Sequence, residues 1–119
     1  MSSTRATAIY KIVPATAWAE AERKGAFAGA GIDLKDGYIH FSSAGQVAET
    51  AQLHFAGQEG LVLVALDPAL FGAALKWEPS RGGALFPHLY GTLDPTLILW
   101  VKPMPLGADG RHLLPDLTR

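Results

Sequence analysis

From Ala8 to Val13 the chain reads AIYKIV, mostly apolar and β-branched, and the pattern predicts a strand. Pro14 closes it and can open a helix. The next stretch, PATAWAEAERK, fits one: Thr16 is a candidate cap, Glu20 and Glu22 precede Arg23 and Lys24, Gly25 suits the position after the last turn, and Trp18 faces inward. A loop with Gly29, Gly31 and Asp36-Gly37 then leads to Tyr38 through Ser42, a second strand. Alternation there puts Ile39 and Phe41 on the core face and Tyr38, His40 and Ser42 on the other. Ser43 with Gln46 three residues on is a capping-box pattern, and Val47, Ala51 and Phe55 recur at helical spacing before Gly57. Leu61 to Leu66 (LVLVAL) is apolar without alternation, as in a strand covered on both faces, and Asp67-Pro68 stops it. Ala74 to Glu78 alternates, with Leu75 and Trp77 opposite Lys76 and Glu78. Leu97 to Val101 (LILWV) is a further apolar strand candidate.

Helices early and strands late describe an α+β domain rather than a regular βαβ series. The 119 residues, 49% hydrophobic, suit a single core over residues 8–119, with residues 1–7 a loose leader. Ten Lys and Arg against eleven Asp and Glu leave a net charge of −1, which argues against nucleic acid and anionic membrane as partners. With no cysteine there are no disulfides, thiolate nucleophiles or cysteine-held metals. The start has no secretory signal pattern, so a cytoplasmic location is expected. Oligomeric state leaves no trace in the pattern.

Two stretches carry candidate chemistry. In GYIHFSS, a row of Tyr38, His40 and Ser42 turned into a core would demand a partner for each group, whereas a solvated cleft satisfies them all. Ser42 and Ser43 also precede a helix start, where exposed N–H groups favour anions. In EPSRGGALFPHLYG, Arg81 before Gly82-Gly83 is a natural phosphate clamp. Glu78 is a general base, a ribose acceptor or simply the partner of Arg81. His88 and Tyr90 share a side if the segment is extended. His54, on the Val47 face of its helix, reads as a satisfied, partly buried histidine, and His112 lies in a proline-flanked tail. Phosphate-loop, dinucleotide-turn, zinc-helix and nucleophile-elbow motifs are absent. A metal-dependent hydrolase built on His40, His88 and Glu78 stays open as an alternative.

With IYKI, GYIHFS, LVLVALD and FPHLYG in this order, the chain resembles a family of small bacterial proteins known as a domain of unknown function. Through it, the chain is similar in fold to ADP-ribosyltransferases and, more distantly, to RNA 2′-phosphotransferases. That resemblance implies a split mixed sheet with short helices around a cleft for NAD, no metal, and a small nucleotide as partner. It implies that His40, His88 and Glu78 serve the reacting centre and that Lys11, Tyr38, Ser42, Ser43, Arg81 and Tyr90 bind ligand. The reaction implied is cleavage of the nicotinamide–ribose bond with transfer of ADP-ribose. Lys11 stands where the resemblance calls for histidine; it cannot accept a ribose proton while charged. A noncatalytic nucleotide or small-anion module is therefore the competing expectation.

Overall fold

The computed structural model describes residues 8–117, with the side chain of Arg81 also outside the described part; the expected leader at residues 1–7 lies outside it. Seven strands and three α-helices follow in the order β1 (Ile9–Pro14), α1 (Ala15–Lys24), α2 (Ile32–Asp36), β2 (Ile39–His40), β3 (Ser42–Ser43), α3 (Val47–His54), β4 (Leu61–Leu66), β5 (Leu75–Pro79), β6 (Leu85–Leu89) and β7 (Trp100–Pro103). They form two sheets, β3-β1-β4-β7 and β2-β6-β5. The sheet is split as expected, but every pairing between these strands is antiparallel rather than mixed.

β1 and β4 pair over their whole length, from Ile9 opposite Leu66 to Pro14 opposite Leu61. Because side chains alternate, the pair feeds two cores. Ile9, Val13, Val64 and Leu66 pack with Trp18, Phe27, Ile39 and Phe41 on one face. Tyr10, Ile12, Leu63 and Ala65 pack with Val47, Ala51 and Met104 under α3 on the other. LVLVAL is thus an interior strand, as its unbroken apolar run predicts, and a side chain such as Leu63 contributes roughly 1.5–3 kcal/mol by burial.

α1 ends as its sequence requires: Gly25 takes φ 84° and its N–H donates to Ala21 O at 2.8 Å. Its start differs from expectation. Pro14 occupies the cap position, Thr16 makes no capping bond, and the Ala15 N–H is satisfied by Gly60 O at 2.7 Å across the sheet end. Trp18 packs on Phe27 with ring centroids 5.5 Å apart.

Four further expectations are corrected. The Tyr38–Ser42 strand is two pieces, because the chain leaves the small sheet at Phe41, whose N–H donates to Pro87 O at 3.0 Å, and joins β1 at Ser42. α3 begins at Val47, later than the capping pattern suggested; Gln46 does reach back, its Oε1 accepting from the Ser43 N–H at 3.0 Å. The last strand is Trp100–Pro103, not Leu97–Val101, because the turn in which Asp94 Oδ1 accepts from the Thr96 N–H and hydroxyl continues through Leu97, which is 55% exposed. His54 is exposed rather than partly buried.

Candidate active site

The small sheet sets side chains of three strands side by side. His40 lies opposite His88 and His88 opposite Lys76, while Ile39, Leu89 and Leu75 form the next row on the core face. The face away from that core therefore collects Tyr38, His40, His88, Tyr90, Lys76 and Glu78. Tyr38 sits over the group, its ring centroid 4.6 Å from His40, 4.4 Å from His88 and 5.0 Å from Tyr90. The two imidazoles stand edge to face at 5.1 Å.

The two histidines are held differently. Glu78 Oε1 lies 2.8 Å from His88 Nδ1 and accepts from the Tyr90 hydroxyl at 2.8 Å. Those two bonds hold the Glu78 carboxyl below its usual range, and the same bond, ahead of partial burial, pushes the Tyr90 hydroxyl up to about 12. An ionised carboxylate only accepts, so His88 Nδ1 carries a proton, and Nε2 is the ring atom left to meet a further group. That Nε2 is buried and has no hydrogen-bond partner among the described residues. Leaving it so costs about 1–3 kcal/mol, an expense expected of a working site more than of a core.

His40, by contrast, faces carboxylates with both nitrogens: Nδ1 is 2.7 Å from Asp33 Oδ1 and Nε2 is 3.1 Å from Asp36 Oδ2. Its capacity to bond is committed. Asp33 is wholly buried and is also 2.7 Å from Lys11 Nζ. Burial pushes the Asp33 carboxyl up, but the bond from His40, the charge and bond of Lys11 and the Ala30 N–H outweigh it and hold it at about 2. Burial, only partly offset by Asp33, lowers Lys11. Tyr38 is raised by partial burial and then by the neighbouring charges of Asp36 and Glu78.

Asp33 owes its place to glycine. Gly31 precedes α2 at φ 56°, Gly37 ends it at φ 85°, and a Cβ on Gly29, itself at φ 119°, would lie 2.7 Å from Asp33 Cβ. Sequence reasoning took this stretch for a loop and missed Asp33 and Asp36 as site residues. The available signal was an acidic pair, Asp33 and Asp36, inside a glycine-bounded segment directly before the histidine strand.

Of the nine residues singled out from sequence, Tyr38, His40, Glu78, His88 and Tyr90 converge, and Lys11 joins them through Asp33. Ser42 does not share their face: past the break at Phe41 its hydroxyl turns to Thr50 Oγ1, at 2.9 Å. Ser43's N–H is taken by Gln46, so the expected anion site at the helix start is filled from within. The Arg81 side chain lies outside the described residues. Nor do the donors suit a metal hydrolase: among the described residues no three His, Asp or Glu side chains are disposed to hold an ion. Two shallow hollows, of about 210 and 180 Å³, lie elsewhere, one beside α3 and Arg111, the other around Leu70 and Asp94. Within the histidine cluster His88 is 3% exposed, whereas the His40 side chain is 26% and Tyr90 42% exposed. No helix among the described residues is long and apolar enough to cross a membrane.

Residues 12–101 match the model of a family described as a protein of unknown function, DUF952. The crystal structure of protein CC0527 from Caulobacter crescentus is similar at 45% sequence identity, covering 90% of this chain and 94% of that one with a TM-score of 0.86. The solution NMR structure of the same protein gives 45% identity, 87% and 90% coverage and a TM-score of 0.79. A search of curated proteins gives no match.

Proposed function

The chain belongs to the DUF952 family, and from the site described above we propose that it binds NAD or a related nucleotide at the Tyr38–His40–His88–Tyr90 cluster. The observation that carries the reading is His88 Nε2, buried and without a hydrogen-bond partner among the described residues, beside the Tyr38 ring. A ribose hydroxyl, which both donates and accepts, supplies the partner that this nitrogen lacks. The tyrosines supply surface for a flat base or for nicotinamide, partly buried at Tyr38 and 42% exposed at Tyr90. Lys76, whose ammonium lies 5.7 Å from the centre of the Tyr90 ring, is a cation near enough to serve a phosphate. Because His88 is only 3% exposed, entry requires a neighbour to move. Tyr38, held among the described residues by ring contacts, is the group whose swing opens it.

Within this reading the roles shift from those the resemblance implied. His88 makes the ribose contact instead of serving the reacting centre, and Glu78 orients His88 rather than acting as a base, since its Oε1 already accepts two bonds. Transfer of ADP-ribose to an acceptor, with nicotinamide as the leaving group, is the second step of the proposal. The noncatalytic module is favoured by one observation: Lys11 is spent on Asp33 and so brings no free charge to a reacting centre.

Thermal shift and calorimetry with NAD, ADP-ribose, nicotinamide and inorganic phosphate test the proposal. Saturation at a hundredfold excess over Kd adds about 2.7 kcal/mol of stability. NAD is expected to stabilise the wild type and to lose that effect in His88→Ala. Stabilisation by none of the four at millimolar concentration refutes the site. If NAD binds, chromatography for released nicotinamide separates transferase from module.

A further inference from the structure

The two oxygens of Asp33 carry four contacts. Oδ1 accepts from the His40 backbone N–H at 3.0 Å and faces His40 Nδ1 at 2.7 Å; Oδ2 accepts from the Ala30 N–H at 3.0 Å and meets Lys11 Nζ at 2.7 Å. The Asp33 side chain is 0% exposed and that of Lys11 8%. A carboxylate so placed stays charged only with a counter-charge beside it, and Lys11 is that charge. A charged Asp33 keeps a proton on His40 Nδ1 and, by bonding both the ring and the backbone of one residue, fixes the ring's direction, while Asp36 Oδ2 faces Nε2 from 3.1 Å on the other side. The ring then presents its face and edge to Tyr38 and His88.

We infer that Asp33 is a positioning residue of the site, locking His40 against Tyr38 and His88, and that Lys11 is its counter-ion rather than a contact for ligand. Asp33 touches no ligand in this account; it acts through His40. The same geometry explains the lysine in the strand: a histidine at position 11 would be a shorter and pH-dependent counter-charge, whereas lysine keeps Asp33 ionised at neutral pH. The binding arm of the test rests on the nucleotide reading; the spectroscopic arm does not.

In the first arm, nitrogen-15 NMR of the ligand-free full chain reads the His40 ring. Wild type is expected to show Nδ1 protonated and its proton slow to exchange with water, and Lys11→Met to lose that protection. A His40 whose Nδ1 bears no proton, or one unaffected by Lys11→Met, overturns the inference. In the second arm, NAD affinity is measured for wild type, His40→Ala, Asp33→Asn and the double variant. Each single change is expected to weaken binding roughly tenfold, and the double variant to be no weaker than His40→Ala, because a residue acting through His40 has nothing to hold once it is gone. Losses that multiply overturn the inference. Should Asp33→Asn not fold, Lys11→Met/Asp33→Asn replaces it in the cycle, since removing both charges leaves no unpaired ion. Failure of wild type to bind NAD sinks the nucleotide reading and leaves the NMR arm to decide the role of Asp33.

Discussion

Lys11→Met tests the energetics of the site most directly. The change removes the ammonium 2.7 Å from a carboxylate that is 0% exposed and leaves the carboxylate in place. Breaking a buried pair in this way costs about 3–5 kcal/mol. An independent route gives a similar ceiling: a carboxyl with the ordinary value of 3.8 escapes the unpaired state by taking up a proton, which at pH 7 costs about 4 kcal/mol. The expected loss at pH 7 is therefore about 3–4 kcal/mol, or a fall of roughly 12–16 °C in Tm at this chain length. The ceiling depends on pH. At pH 4 protonation costs almost nothing, so the defect should shrink to about 1 kcal/mol or less. Wild type should behave in the opposite sense. Asp33 held at about 2, below its unfolded 3.8, contributes about 2 kcal/mol that is present above the unfolded value and is lost as pH falls through the folded one. Urea denaturation of both proteins at pH 7, 5.5 and 4 gives the difference curve, from which other carboxylates cancel. A defect of the same size at pH 7 and pH 4 refutes the reasoning, because it would show that the lost energy is packing and not an unpaired charge.

Two further perturbations probe other parts of the same assembly. Gly29→Ala adds a Cβ 2.7 Å from Asp33 Cβ at a backbone φ of 119°, and is expected to cost roughly 2–3 kcal/mol by urea denaturation; a loss under about 0.5 kcal/mol would show that Asp33 is not so tightly seated. Glu78→Gln removes the carboxylate that pushes Tyr90 up to about 12, so ultraviolet difference titration should find Tyr90 ionising nearer its ordinary 10.0, while an unchanged titration would place the Glu78–Tyr90 bond in doubt.

The parts of the fold that could be read from sequence are those in which one physical signal dominates. LVLVAL needs cover on both faces, and β4 has it; Leu75 to Glu78 alternates, and β5 aims Glu78 at His88. The side of Tyr38 and His40 followed from the apolar Ile39 and Phe41 opposite them, and Tyr90 joined His88 by the same rule. What escaped was set by tertiary context. A five-residue α2 is too short to show a period, so its role in burying Asp33 was invisible. Ser42 obeyed the alternation only up to Phe41, where a change of sheet resets which way a side chain points. The apolar LILWV run predicts a strand, but the turn at Asp94 holds its first residues out of the sheet. Thr16 lost its capping role to a backbone carbonyl 45 residues away in the chain, at Gly60 by number from Ala15.

The change of sheet at Phe41 also separates what can vary in this fold. Five successive residues serve two different assemblies: Ile39 and His40 belong to the half that carries the aromatic cluster, Ser42 and Ser43 to the half that supports α3. Phe41 is the hinge pin, fastened to Pro87 by one backbone bond and packed in the core by its ring. A relative with one residue more or less at this pin could keep both pairings and yet turn its histidine to a different bearing, so the chemistry of such domains can diverge while the larger sheet stays untouched.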